Sequence, residues 1–292
     1  MQAIMKTRCE NPTQAIIGIT TEGEAYSITI SKGPHWLVAG SSGSGKSALL
    51  KASLITMLQH AHPIELELVI IDPKTVEFGT WKGIPHLRIP PVIDMQEAEY
   101  VLLYMIEVME YRYKLMEEVG VNNIEEYNEL VVNLDPKVSE LPHGLFRYVV
   151  IVIDEYADFM AEVPEVEDLI KRLGAKARAA GISLVISTQR PSVDVISPTL
   201  KANIQGRIGL KTTDSANSHI IMGDMGQLDL SNLTGLGDSI VRDHEGNLTR
   251  VLGLYVPSNN INNIMDALRE TYGKSQEYDY KKYLVDKGII DE

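Results

Sequence analysis

The stretch that decides the fold is Gly40–Ser47, which reads GSSGSGKS. It fits the pattern G-x-x-x-x-G-K-[ST], directly after an apolar strand candidate, Trp36–Ala39, and directly before a helix candidate, Ser47–His60. In that setting the glycines let the backbone curl, so that successive N–H groups and the helix N-terminus point at phosphate oxygens. The stretch therefore predicts a P-loop. Its expected phosphate-binding residues are Gly40, Ser41, Ser42, Gly43, Ser44, Gly45, Lys46, Ser47 and Ala48.

Two side chains of this stretch have expected roles in a nucleotide site. Lys46 is predicted to lie against the β- and γ-phosphates, and the Ser47 hydroxyl to reach Mg²⁺. A flexible Gly/Ser turn is the alternative interpretation. The strand before the stretch and the helix after it favour the P-loop.

A second functional stretch, VVIVIDEYAD, covers residues 149–158 and passes from buried aliphatic residues to a group of acids. An ionised carboxylate is costly to desolvate, so an adjacent pair belongs at an open strand end or beside a cation. Beside a P-loop, Asp154 is predicted to hold the metal ion, and Glu155 to orient and polarise the attacking water. Acids that are merely solvated at a strand end are the alternative.

Other residues near these two motifs each allow more than one role. Thr188 or Gln189, at the end of the strand GISLVIST, could hydrogen-bond the γ-phosphate or the water. Arg178 lies at the end of a predicted helix, where a cation also complements the helix dipole. Arg112 interrupts the apolar stripe of a predicted helix over 95–119, which favours a snorkelling or paired core arginine. Residues 72–74 (Asp-Pro-Lys) end a strand at the presumed catalytic edge, and their role is open.

Composition restricts the function classes. The 292 residues are 44% hydrophobic, enough for a substantial core, and the net charge of -13 argues against a protein coated in basic residues. Any contact with nucleic acid must therefore be local. Cys9 is the single cysteine, and the sequence has neither an apolar run approaching a membrane span nor an apolar signal core. These features predict a cytoplasmic protein without membrane insertion.

Short aliphatic strands alternate with helical stretches, which predicts an α/β fold with a mostly parallel central sheet flanked by helices. Residues 120–147 are expected to form a shorter helix and a surface loop. A C-terminal hairpin around 245–247 and a helix capped by Ser258 should follow. The predicted strands are Trp36–Ala39, Leu66–Ile71, Tyr148–Ile153, Ile182–Ser187 and Ile204–Leu210.

Taken together, these motifs resemble the motor domain of the FtsK/SpoIIIE family of double-stranded DNA translocases, from about residue 26 to residue 257. The stretches that carry the resemblance are HWLVAGSSGSGKS, VIIDPKTVEFGTWKGIPHL, YRYKLMEEVGVNNIEEYNE, VIDEYADFM, AKARAAGISLVISTQRPSVDVISPTLKANIQGRIGLK and LTGLGDSI. The resemblance implies a RecA-like P-loop core that uses ATP with Mg²⁺. It also implies a homo-oligomeric ring, usually of six subunits, with double-stranded DNA in its pore.

The resemblance also assigns roles residue by residue. Lys46 and Ser47 match the Walker A motif, Asp154 and Glu155 match Walker B, and Gln189 matches the γ-phosphate sensor.

Three arginines match possible arginine fingers, which would complete the site of a neighbouring subunit. Arg178 is the first choice, Arg112 a rival from the helix that related secretion ATPases use, and Arg207 the third.

The resemblance places a pore loop after TQRPSVDV, so Arg190 and Lys201 are predicted to contact DNA phosphates. Family members usually carry a basic residue where this chain has KTTDSANS, and Lys211 is the nearby substitute.

The predicted organisation is an N-terminal lead-in strand region over 1–25, a RecA-like motor domain over 26–272 and a polar, loosely held C-terminal tail over 273–292. The predicted function is ATP-driven translocation of double-stranded DNA by a stand-alone form, as in plasmid or phage DNA transfer, segregation or packaging. A loading or anchoring partner would then set the direction. A type VII-like protein-secretion ATPase and a nucleotide-gated assembly scaffold are the alternatives.

Overall fold

The computed structural model describes residues 9–74, 77–133 and 144–291. Its strands are β1 (Gln14–Thr20), β2 (Ala25–Thr29), β3 (His35–Ala39), β4 (Leu66–Ile71), β5 (Tyr148–Ile153), β6 (Ile182–Thr188), β7 (Gly206–Leu210), β8 (Asp238–Arg242) and β9 (Leu248–Gly253). They form one nine-stranded sheet in the order β2-β1-β9-β8-β7-β3-β6-β5-β4.

The helices are α1 (Lys46–Leu58), α2 (Met95–Val119), α3 (Ile124–Val132), α4 (Tyr156–Glu162), α5 (Val166–Lys176), α6 (Pro198–Asn203), α7 (Ser215–Met222), α8 (Ser258–Tyr272) and α9 (Tyr280–Asp286). Two short 3₁₀ turns lie at Gly79–Trp81 and Leu230–Asn232.

The sheet has a parallel and an antiparallel part. β7, β3, β6, β5 and β4 run parallel to one another. β8, β9, β1 and β2 extend the sheet through antiparallel pairs. Strands covered by helices on both faces are expected to be apolar at every position, and β3, β4, β5 and β6 are buried along their whole length.

Alternate side chains of each strand enter two separate cores, because successive strand residues point to opposite faces. Trp36 and Val38 of β3 pack in one core with α1 and α8. Leu37 and Ala39 pack in the other with most of α2 and with α5. The predicted fold class is confirmed: helices flank a sheet with a parallel core, and a hairpin (β8–β9) and a helix (α8) follow.

The parallel strands bring the predicted site residues to one edge. Because the carboxyl ends of parallel strands meet at the same edge, the loops after β3, β5 and β6 lie side by side there. The P-loop follows β3, Asp154 follows β5, and Gln189 follows β6. We call this side the carboxyl edge and the opposite side the amino edge.

The predicted element bounds agree closely with the structure, with small shifts. β3 begins one residue earlier than expected, β6 ends one later, and β7 begins at Gly206 because α6 extends to Asn203. The helix predicted over 95–119 is confirmed. The expected cap by Ser258 is wrong, since Pro257 holds the N-cap position and Ser258 is the first helical residue.

The ends of the chain contribute to the sheet and its cover. β1, in the predicted lead-in region, pairs with β9 of the predicted motor domain. Helix α9 lies in the segment expected to be a loosely held tail, and its Tyr280 and Leu284 are buried in the second core. The sequence offered too few apolar residues there to predict this packing. Residues 1–8 of the lead-in and the loop expected over 134–143 lie outside the described residues.

Candidate functional site

The P-loop has the backbone that its glycines allow. Gly43 and Gly45 have φ angles of 77° and 96°, in the left-handed region that favours glycine. A Cβ on Gly45 would lie 2.4 Å from the backbone nitrogen of Gly237. That nitrogen donates a hydrogen bond to the Ser44 carbonyl at 2.8 Å, which fixes the loop against the segment before β8. A larger residue at position 45 would break this contact.

The N-terminus of α1 is open to an anion. Its N-cap residue, Gly45, makes no side-chain cap, and the first turn carries no acid. Five other helices have side-chain caps, which come from Asp94, Asn123, Ser197, Asp214 and Asp279. The uncapped first turn of α1, which includes Ser47 and Ala48, therefore presents backbone N–H groups and the positive end of the helix dipole.

Other P-loop contacts fit a phosphate cradle. Ser41 donates hydrogen bonds from its backbone nitrogen and its Oγ to the Lys211 carbonyl, both at 2.9 Å, which anchors the start of the loop to the end of β7. The Ser44 Oγ is buried and has no hydrogen-bond partner among the described residues. The residues present thus fit a bound triphosphate.

Lys46 and Asp154 form the central ion pair of the site. The Lys46 Nζ lies 2.8 Å from Asp154 Oδ1, and the two side chains are 3% and 7% exposed. Ser187, from β6, donates its hydroxyl to the same Oδ1 and accepts a hydrogen bond from Lys46. The predicted proximity of Lys46 to the Walker B acids is therefore present in the structure.

Burial alone would raise the pKa of Asp154. The charge of Lys46 and hydrogen bonds from Lys46 and Ser187 act in the opposite direction, and they hold the pKa of Asp154 below its usual value. The carboxylate is therefore ionised at neutral pH and suited to a cation, whether an ammonium group or a metal ion. Among the described residues, no group of three or more His, Cys, Asp or Glu could hold a metal by itself.

Glu155 is held in a strained and well-defined position. Its φ of 51° is unusual for a residue with a side chain, and its side chain is buried. Its Oε1 accepts hydrogen bonds from the Thr188 hydroxyl at 2.9 Å and from the Gln189 backbone nitrogen at 3.1 Å. The sequence left Thr188 and Gln189 as alternatives. Thr188 ends β6 and binds the carboxylate through its side chain, whereas Gln189 follows the strand and binds it through its backbone.

An ion-pair chain joins Glu155 to Arg190, one of the predicted DNA contacts. Lys74, after β4, lies 3.8 Å from Glu155 and 2.8 Å from Asp158. Asp158 also lies 3.7 Å from Arg190, whose side chain is 72% exposed. Neither Lys74 nor Asp158 had a predicted role, because their contacts depend on which strands are neighbours.

The three candidate arginine fingers lie near the amino edge, away from the nucleotide site of their own subunit. Arg178 is exposed just before β6, so the length of that strand separates it from Gln189. Seven residues of strand span roughly 23 Å. Arg178 therefore cannot reach its own P-loop.

Arg112 and Arg207 are more enclosed. Arg112 is 7% exposed and donates to the Ala180 carbonyl at 2.6 Å, so it has the buried, paired environment that its apolar stripe indicated. Arg207 donates to the Ile221 carbonyl at 3.3 Å, and burial, followed by the charge of Arg242, lowers its pKa.

The three predicted DNA contacts do not form one patch. Arg190 and Lys211 follow β6 and β7 at the carboxyl edge, whereas Lys201 lies in α6 towards the start of β7. Burial and the charge of Arg207 lower the pKa of Lys201, which indicates that these two cations are close.

Comparison with known proteins agrees with the resemblance in the sequence. A model of the FtsK/SpoIIIE family matches residues 3–193. The chain belongs to the FtsK/SpoIIIE family. Its relatives include the DNA translocase FtsK of Corynebacterium glutamicum, 37% identical over 267 residues, which are 89% of this chain and 29% of that protein. The FtsK of Streptococcus pneumoniae is 36% identical over 266 residues, 90% of this chain and 34% of that protein. The chain thus spans about a third of the length of these relatives.

Solved structures show the same fold. The pCW3 conjugation coupling protein TcpA, in its monomer form with ATPγS, has a TM-score of 0.72 at 25% identity, over 89% of this chain and 72% of that one. EssC (ATPases 2 and 3) of Geobacillus thermodenitrificans has a TM-score of 0.76 at 20% identity, over 89% of this chain and 49% of that one. The family and the fold support the prediction of an ATPase. Within the described ranges, no helix is long and apolar enough to cross a membrane.

Proposed function

We propose that this chain is an ATP-hydrolysing motor that moves double-stranded DNA through the pore of a homo-oligomeric ring, with six subunits as the expected number. One observation carries the proposal. At a single sheet edge, the open N-terminus of α1 and Lys46 meet two buried carboxylates, Asp154 and Glu155, that follow β5, which β6 separates from β3. A cation, a helix dipole and a fixed carboxylate are the groups that phosphoryl transfer requires.

Nucleotide binding exchanges one set of contacts for another. Phosphates bound at the P-loop draw Lys46 away from Asp154, because the ammonium group then has a more highly charged anion beside it. Asp154 and Ser47 are the residues that would hold Mg²⁺, which supplies charge neutralisation at the β- and γ-phosphates when bound. The low pKa of Asp154 keeps it ready for this exchange at neutral pH.

Glu155 is the proposed general base. Its carboxylate, already oriented by Thr188 and Gln189, accepts a proton from the attacking water. The water oxygen bonds to the γ-phosphorus as the bond to the β,γ-bridging oxygen breaks, and ADP leaves with that electron pair. Gln189 lies beside this carboxylate and is the proposed γ-phosphate sensor.

Completion of the site by a neighbouring subunit follows from the position of Arg178. Since Arg178 is exposed at the edge opposite its own P-loop, it can serve only a site on another subunit. Such an arginine stabilises the charge of the transition state, so hydrolysis depends on assembly. A ring also aligns the exposed Arg190 of each subunit for sequence-independent contact with DNA phosphates.

The names of the relatives support the choice of substrate. Those compared above are DNA translocases, and TcpA is a conjugation coupling protein that was solved with ATPγS. The net charge of -13 is compatible with DNA when the contacts are confined to a pore.

The ATPase rate, measured across protein concentration with and without linear duplex DNA, tests assembly and substrate together. We expect the rate per subunit to rise with concentration and to rise again with DNA. In a triplex-displacement assay, the protein should strip the third strand only with ATP. Lys46→Ala is the inactive control, and Arg172→Ala, at an exposed ion pair with Glu110, is a surface control that should keep full activity.

Three outcomes would contradict the proposal. Failure to displace the triplex under conditions of full ATPase activity would reject translocation. ATPase stimulation by candidate secreted proteins but not by duplex DNA would favour a secretion ATPase. A rate that Glu155→Gln leaves unchanged would favour a nucleotide-gated scaffold.

A further inference from the structure

A cavity of about 540 Å³ lies at the amino edge, far from the P-loop. Its lining includes Glu67 near the start of β4 and Arg147, the residue before β5. The six residues of β5 separate Arg147 from Asp154, and a strand of that length spans roughly 20 Å. A ligand in this cavity therefore cannot be the nucleotide at the P-loop.

The cavity concentrates positive charge in an acidic protein. Arg88, Arg112, Arg147 and Lys287 line it, and Glu67 is the acid among its lining residues, which gives four positive charges and one negative. Arg147 lies 3.8 Å from Glu67. The remaining cations exceed what one carboxylate can neutralise, whereas the whole chain has a net charge of -13. A local excess of this sign is suited to an anion.

Burial raises the free-energy cost of keeping these charged groups together. Arg112 is 7% exposed, and burial lowers its pKa to about 10 against the attraction of Glu67. Burial also raises the pKa of Glu67, although Arg88, Arg147 and Arg112 act in the opposite direction. An anionic ligand would relieve the repulsion among the arginines.

Part of the cavity lining is aromatic and comes from α2 and the C-terminal segment. Tyr278 stacks on Tyr104 of α2 with ring centres 5.3 Å apart, and Tyr283 of α9 meets the same ring edge-to-face at 5.5 Å. The guanidinium of Arg88 lies over the Tyr278 ring at 4.9 Å. Tyrosine rings beside arginines provide stacking faces next to hydrogen-bond donors for phosphate.

We propose that this cavity is a second nucleotide-binding site, which holds phosphate groups on Arg88 and Arg147 and stacks a base against the tyrosines. The volume falls within the range of small-molecule sites. A nucleotide combines an anionic group and a flat aromatic ring in one molecule, as the lining requires, whereas an inorganic anion would leave the aromatic wall unused. The proposed site gives a role to Arg112, a cation on the apolar stripe of α2, and to the tyrosines of the C-terminal segment.

ADP binding to the Lys46→Ala variant, measured by isothermal titration calorimetry, tests the proposal with the P-loop disabled. We expect one ADP site per chain to remain. Arg147→Ala and Arg88→Ala, each added to Lys46→Ala, should weaken this site at least about tenfold, since each removes a charged hydrogen-bond donor. Arg172→Ala, added in the same way, is the matched control and should leave the affinity unchanged. Circular dichroism checks that each variant is folded.

Two further ligands separate a nucleotide site from a simple anion site. Pyrophosphate and adenosine should each bind the Lys46→Ala variant at least about tenfold more weakly than ADP, because each makes half of the contacts. Trypsin should cleave after Lys281 and Lys287 more slowly when ADP is present. The proposal is overturned if Lys46→Ala binds no ADP at millimolar concentration, if Arg147→Ala and Arg88→Ala leave its affinity unchanged, or if pyrophosphate binds as tightly as ADP.

Discussion

Replacing Lys46 with alanine should destabilise the folded protein as well as remove nucleotide binding. The Lys46 ammonium is the cation beside the Asp154 carboxylate, at 2.8 Å, and both side chains are almost fully buried. In the variant, Ser187 is the remaining side chain that hydrogen-bonds Asp154 Oδ1 among those described. One hydroxyl cannot compensate for a buried charge.

The structure sets the size of this effect. Breaking a buried ion pair by removal of one partner costs about 3–5 kcal/mol of unfolding free energy. At about 2 °C per kcal/mol for a chain of this size, the thermal midpoint should fall by about 6–10 °C. The matched variant Lys46→Ala/Asp154→Asn has no unpaired charge. It should regain more than about 1 kcal/mol relative to Lys46→Ala.

The pH dependence of folding stability has a defined sign in the wild type and in Lys46→Ala. In the wild type the pKa of Asp154 lies below its unfolded value, so its contribution to stability is complete above about pH 4 and disappears as the pH falls through the folded pKa. Without Lys46, burial dominates and raises the pKa of Asp154. The folded variant then takes up a proton more readily than the unfolded chain, and the penalty of the substitution shrinks from about pH 8 to about pH 5.

Urea denaturation of the wild type, Lys46→Ala and the double variant, at both pH values and without nucleotide, measures these differences. Equal stability of Lys46→Ala and the wild type would show that removing Lys46 from the buried ion pair leaves no costly charge on Asp154. A double variant no more stable than Lys46→Ala would show that the loss comes from packing and not from the charge of Asp154.

Three further predictions concern single residues. Glu155→Gln should reduce the ATPase rate by about 100- to 10,000-fold with ATP binding retained in an equilibrium binding assay, since the amide oxygen still accepts the bonds from Thr188 and Gln189. Arg178→Ala should abolish turnover, and mixing it with Glu155→Gln should restore part of the activity; no recovery would remove the case for action on a neighbouring subunit. Burial lowers the pKa of His35 to about 4, so stability should fall by up to about 1.4 kcal/mol per unit below about pH 6.5, and urea denaturation of His35→Asn should show a smaller loss.

Much of the parallel core could be predicted because its strands carry a strong local signal. β4 and β5 are apolar at nearly every position, and turn or helix residues bound them. The pairing of β1 with β9 has no such signal, because it joins segments more than two hundred residues apart. Helix α4 was also missed, since its seven residues follow a functional strand end directly and contain two acids. Short helices of this kind form through tertiary contacts and not through intrinsic propensity.

The Walker residues of the site could be predicted from motif spacing, whereas their partners could not. Lys46 and Asp154 each occupy a recognisable position, and a P-loop context predicts their proximity. Ser187 and Lys74 contact these acids because β6 and β4 flank β5 in the sheet. That order is a property of the folded sheet, and no local pattern in the sequence encodes it.

The pairing of β1 with β9 also affects how the protein folds during synthesis. β1 is made before β9 and can pair with β2, but its other edge stays unpaired until β9 has been made. At 5–20 residues per second, the delay is roughly 10–50 s. The Ile16 nitrogen of β1 donates to the Thr56 hydroxyl of α1 at 2.9 Å, so the helix that follows the P-loop packs on this unfinished part of the sheet. A nascent chain therefore cannot complete the support of its nucleotide site before β9 has been made.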